Sequence, residues 1–147
     1  MIFDLNNKSP KILILGKGRV GKDTSARLIT ETFGHKFRGS SEVAAKEVIY
    51  PLMKNFYSSA DEAFKRRHEN RQLWYNLICQ YNRDNPSRLA EKVCEGGSGY
   101  TGLRSFREVV DCIEKGIFTH IVWVENPRNE EVDPTIDFDC SQIENFC

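Results

Sequence analysis

Residues 12–29 read ILILGKGRVGKDTSARLI. A short apolar, β-branched run passes into a loop rich in glycine and lysine, and then into residues with helical spacing. Residues 11–15 have the signature of a strand buried on both faces. Residues 22–33 read as a helix with Ala26, Leu28, Ile29 and Phe33 on its inner face, stopped by Gly34. Between the two, Gly16-x-x-x-x-Gly21-Lys22 matches the first seven positions of a phosphate-binding loop.

Each part of that pattern has a physical task. Glycines, here Gly16, Gly18 and Gly21, let successive backbone N–H groups curl round a phosphate without Cβ clashes. The helix that follows adds the positive end of its dipole, and Lys22 adds a mobile charge for β- and γ-phosphates. The last position of the pattern ordinarily gives a hydroxyl to Mg²⁺. Here it is Asp23, and the hydroxyl comes one residue later, at Thr24.

Further along, residues 36–38 read as a second short strand. Ser40 or Ser41 reads as an N-cap for a helix reaching about residue 56. A longer helical region spans 60–81, and Pro86 opens another helix over 87–94. GGSGYTGLR (96–104) is a Gly-rich turn with a strand near Tyr100, followed by a helix over 105–115 that Gly116 stops. Residues 120–124 form the clearest later strand, closed by Pro127, and one more strand is expected near 142–144. Strand, helix, helical insert, strand, helix, strand is the order of an α/β layer with a parallel sheet and right-handed crossovers. Ligands of such sheets bind beyond the carboxyl ends of the strands, where Gly16 and Glu125 fall.

The 147 residues suit a single domain. Lys+Arg and Asp+Glu balance at 21 each, so no global field draws the chain to nucleic acid or membranes, and anion binding must be local. The basic stretch KRRHENR (65–71) is short and interleaved with acid, which argues against a DNA-binding face. The N-terminus lacks the charge and hydropathy pattern of a signal peptide, and no apolar run is long enough to span a bilayer. Five widely spaced cysteines without a CxxC pair point away from zinc and disulfide frameworks, and toward a reducing, cytoplasmic setting.

A kinase whose acceptor is itself a phosphate needs no base, because the attacking oxygen is already ionised. Its difficulty is bringing two polyanions together, a task suited to the bidentate fork of arginine. Among many arginines, Arg104 stands out because it ends TGLR at the ligand edge of the sheet.

GKGRVGKDT, SSEVAAK, RHENRQLWYNLICQYNRD, GYTGLRS and HIVWVENPR, taken in order, resemble the bacteriophage deoxynucleoside monophosphate kinases and related phage P-loop kinases. The resemblance covers roughly residues 11–130. It implies a three-layer, nucleotide-kinase-like P-loop fold over residues 1–147, with a helical acceptor-binding insert at about 40–95. Residues 126–147 would be a lid remnant and a shortened C-terminus. It implies ATP- and Mg²⁺-dependent phosphorylation of a (deoxy)nucleoside monophosphate to the diphosphate, in the cytoplasm of a host cell if the source is a phage. Gly16, Gly18, Gly21, Lys22, Asp23 and Thr24 would hold the ATP phosphates. Ser40, Ser41, Lys46, Arg71, Trp74, Tyr75 and Arg104 would line the acceptor site. Arg128 resembles a lid arginine that closes over the transferring group.

Two departures stand against that pattern. Gly99 and Tyr100 lie in the strand where many nucleotide kinases carry a carboxylate, leaving Asp23 and Glu125 to steer hydrated Mg²⁺. The chain also stops where relatives continue into a helix over the adenine, which leaves open a loose ATP site, a homodimer that completes it, or lost catalysis. A nucleotide sensor without turnover, or a kinase of another phosphorylated metabolite, are the alternative readings.

Overall fold

The computed structural model describes residues 10–128 and 136–147. The arm expected over the first nine residues, and residues 129–135 of the expected lid remnant, lie outside the described residues.

Four parallel strands, β1 (Ile12–Leu15), β2 (Phe37–Gly39), β3 (Gly99–Thr101) and β4 (His120–Trp123), form one sheet in the order β2-β3-β1-β4. Leu13 stands opposite Tyr100 on one side and Ile121 on the other. β1 owes its central place to composition, since Leu13, Ile14 and Leu15 are all fully buried.

α1 (Lys22–Phe33) carries the chain from β1 leftward to β2, whereas α7 (Phe106–Glu114) carries it from β3 rightward over β1 to β4. Right-handed crossovers in opposite directions put these two helices on opposite faces. Burial agrees with this. Leu13 and Leu15 join Val109 and Cys112 of α7 in the main core, while Ile14, one residue out of phase, lies outside that cluster, as does Ala26 of α1. The α/β class with a parallel sheet is therefore as expected.

Between β2 and β3 the chain is helical: α2 (Ser40–Ala44), a π-turn (Ala45–Ile49), α3 (Tyr50–Leu52), α4 (Ala60–Lys65), α5 (Arg71–Tyr81) and α6 (Arg88–Val93). Val43, Val48, Ile49, Tyr57, Trp74, Leu89 and Val93 from this insert share the main core. Pro51 accounts for the π-turn. It has no N–H for the carbonyl of Glu47 and would crowd it, and a wider turn relieves both problems.

Several local expectations change. Gly39, not a serine, is the N-cap of α2, and Ser40 is its first helical residue. That helical run ends at Leu52. The 60–81 region breaks at Arg66, where Arg66 bonds Glu62 and Glu69 and Arg67 caps the Phe64 carbonyl, so a 3₁₀ turn (Arg67–Asn70) separates α4 from α5. Residues 142–144 are not a strand, because Asp139 and Gln142 form a capping box that opens α8 (Cys140–Ile143). On α1 only Ala26 is buried, and Leu28 and Phe33 remain 54% and 71% exposed. α1 packs on β1 and β3 and leaves β4 uncovered on that face, where Val122 is exposed.

Candidate functional site

β1 and β3 are neighbours whose chains leave in opposite directions, so the switch point of the sheet, where ligands of such folds bind, lies beyond their carboxyl ends. The loop at 16–21 follows β1 and the turn at 102–105 follows β3.

Gly16 begins the loop under tight constraint. Its φ is +151°, and a Cβ there would lie 2.5 Å from the Val124 carbonyl oxygen and 3.0 Å from Val20 Cγ2. β4 thus presses on the loop directly. Arg19 (φ 58°) and Gly21 (φ 101°) take left-handed conformations that curl the backbone back on itself. Gly21 is the N-cap of α1 and brings no side chain to the first-turn N–H groups. Lys22 turns its Nζ back into the loop, donating to the carbonyls of Gly16 at 2.8 Å and Lys17 at 2.5 Å. Asp23 and Thr24 are exposed on the first turn of α1. Curled backbone, a helix start whose cap residue has no side chain, and an inward ammonium together suit a polyphosphate.

The other side starts at β3. Gly102, with φ +105°, ends the strand beside Ser40, since a Cβ there would lie 3.2 Å from Ser40 Oγ. The Ser40 side chain also bonds Tyr100, whose phenol is pushed up by burial. Arg104 follows on an exposed turn. In the first turn of α7, burial pushes the Glu108 carboxyl up, and a 3.0 Å bond from Asn82 Nδ2 partly offsets this. Asn82 is fixed in turn by accepting from the Leu89 N–H at 3.1 Å.

Tyr75 on α5 faces this region. Its phenol is raised first by a hydrogen bond with Cys79 and further by the charges of Asp137 and Glu108. Arg71, one turn earlier on the same face, pairs with His68 Nδ1 at 2.9 Å. Trp74 points the other way and is 5% exposed within the insert core, so it offers no wall for a base. Ser41 is half-buried in α2, and Lys46 is exposed on the π-turn.

The structure also sorts the arginines. Arg38 reaches the carbonyls of Lys92 and Val93 at the end of α6, Arg67 lies over Phe64, and Arg88 lies over Tyr81. These three have structural employment. Past β4, Glu125 accepts from Trp123 Nε1 at 3.1 Å and follows the Val124 that abuts Gly16. Arg128 is exposed, its N–H on Asn126 Oδ1.

Residues 136–147 return across the carboxyl edge, which no sequence pattern announces. Asp137 bonds the turn before α7, and Asp139 pairs with Lys17 of the loop at 3.7 Å. Phe138, 4% exposed, packs between Phe106 and Trp123. Glu108, Asp137 and Asp139 are the residues that sequence reasoning missed, and only the Asp139-x-x-Gln142 cap was a usable signal.

Among the described residues no group of three or more His, Cys, Asp or Glu side chains could hold a metal ion, and no helix is long and apolar enough to cross a membrane. The carboxylates of Asp23 and Glu125, next to the loop, suit an ion that keeps most of its waters. Compared with models of known protein families and with curated protein sequences, the chain matches none.

Proposed function

We propose that this chain is a P-loop kinase that transfers a phosphoryl group from ATP to the phosphate of a (deoxy)nucleoside monophosphate. The reading rests on one juxtaposition above all. The loop that leads into Lys22 and the turn carrying Arg104 both leave the carboxyl ends of neighbouring parallel strands, at the switch point of the sheet. The ordered resemblance to phage kinases and the Arg71/Tyr75 face of α5 point the same way.

In this reading Lys22 exchanges its two loop carbonyls for phosphate oxygens, and the first N–H groups of α1 donate to the same anion. Thr24 offers its hydroxyl to a phosphate. ATP supplies the phosphoryl group, and Mg²⁺ would supply charge neutralisation, held through water by Asp23 and Glu125. Arg104 and Arg71 grip the acceptor phosphate, Ser40 supports it from the start of α2, and Tyr75 borders the base. Ser41 and Lys46 lie further along the same helical run, and the exposed Arg128 would supply the closing cation. No general base is required, since the acceptor oxygen is ionised at neutral pH, and catalysis is positioning and charge stabilisation.

A coupled ADP-release assay with ATP–Mg²⁺ tests this against a panel of ribo- and deoxynucleoside monophosphates, with Lys22→Ala as the control. Turnover should exceed the acceptor-free blank for at least one monophosphate and vanish in the variant. ATP binding without turnover on any of them would replace the kinase with a nucleotide-binding protein. Turnover only on other phosphorylated metabolites would change the acceptor class.

A further inference from the structure

β3 ends at Thr101, and an irregular turn precedes α7 at Phe106. Gly102 has φ +105°, and Ser105, at the N-cap position, makes no side-chain cap bond. Asp137 supplies the missing support from 31 positions downstream. Its Oδ1 accepts from the Phe106 N–H at 2.6 Å, and its own N–H donates to the Arg104 carbonyl at 3.2 Å. One residue thereby fixes the backbone on both sides of Ser105.

The clamp is itself anchored. Phe138 sits between the rings of Phe106 and Trp123, each centroid 6.0 Å away, and Asp139 both caps α8 and pairs with Lys17. A rigid neighbour on the C-terminal side lets Asp137 impose a conformation on the turn instead of following it.

We propose that Asp137 is a positioning residue for Arg104, clamping the 104–106 turn so that the guanidinium is presented to the acceptor phosphate. The inference rests on the kinase reading above. Asp137 acts through the backbone and does not meet the acceptor. An arginine must approach a phosphate with both arms of its fork aligned, so a turn free to rotate by a fraction of an ångström forfeits that geometry. A plain helix cap would stabilise α7 without discriminating between the two substrates.

The test is initial-rate kinetics on the full chain with both substrates varied, comparing wild type, Asp137→Ala, Asp137→Asn and Ser87→Ala. Ser87 Oγ accepts from Lys115 Nζ at 2.8 Å, at the far end of α7, and donates to Asn85 Oδ1 at 3.0 Å, so its loss serves as a stability control. Asp137→Ala should lower kcat/KM for the monophosphate about 10-fold while leaving KM for ATP unchanged. Asp137→Asn should recover to within about 3-fold of wild type, because an amide oxygen still accepts from Phe106. Ser87→Ala should lower Tm without altering the ratio of the two substrate parameters. Equal effects on ATP and acceptor, or the same effect from Ser87→Ala, would reduce Asp137 to a structural cap. An Asn variant better than wild type would mean that the carboxylate competes with the acceptor, which also overturns positioning. An active wild type with an indifferent Asp137→Ala rejects this inference alone, whereas a wild type inactive on every monophosphate rejects the kinase reading with it.

Discussion

Lys22 Nζ lies 2.8 Å from the carbonyl oxygen of Gly16, so the side chain folds back over the loop that precedes its own helix. The ammonium is thus held where a phosphate would meet it, by bonds that an anion replaces readily. Lys22→Ala should weaken binding of ATP or tripolyphosphate by at least ~10-fold, the scale of a charge-assisted bond. Its Tm should stay close to wild type. Isothermal titration calorimetry beside a thermal melt checks both, and undiminished affinity would remove Lys22 from the site.

Gly16→Ala should be costly for a different reason. The new methyl would meet the Val124 carbonyl at 2.5 Å, at a φ that L-residues avoid. About 3 kcal/mol or more of destabilisation is expected from clash and strain together. Urea unfolding should show a lower midpoint with an unchanged m-value. A midpoint at the wild-type value would mean that β4 and the loop are less tightly apposed than described.

Arg104→Ala tests the acceptor grip. Removing a stabiliser of developing charge costs ~2–4 kcal/mol in the transition state, so kcat/KM for the monophosphate should fall by about two to three orders of magnitude. Stopped-time product analysis would measure it. Unchanged turnover would refute the assignment.

The parts legible in the sequence were those whose information is local. ILIL followed by glycines and a helical run identified β1, the loop and α1, because burial on both faces and positive φ leave a compositional trace. TGLR could be placed at the ligand edge because Gly102 marks the strand end. Trp74 and the inner face of α1 depended on which surfaces the insert and the sheet cover, which periodicity does not encode. Phe33 has the right spacing for burial but lies beyond the part of the sheet that α1 covers. Asp137 was invisible for a sharper reason. A carboxylate capping a helix 31 positions away looks, in sequence, like any exposed acid.

Glu108 gives a pH signature. Burial raises its folded-state pKa above the ordinary glutamate value of 4.5. The fold therefore favours the protonated form. That contribution is fully present below the unfolded value and is lost as pH rises through the raised one. Glu108→Gln, whose amide oxygen still accepts from Asn82, should be more stable than wild type at neutral pH. The gap should close as pH falls toward the ordinary glutamate range. Thermal melts across pH would show it, and a gap that does not depend on pH would contradict the sign.

The return of residues 136–147 also sets an order of assembly. The Lys17–Asp139 pair joins positions near opposite ends of the chain, and Asp137 meets Phe106 across 31 positions. Neither contact can form before the elements that hold Lys17 and Phe106 are in place. The contacts at this edge are therefore a late event in folding. Native-state hydrogen exchange should find the Phe106 amide exchanging through smaller openings than the amides of β1.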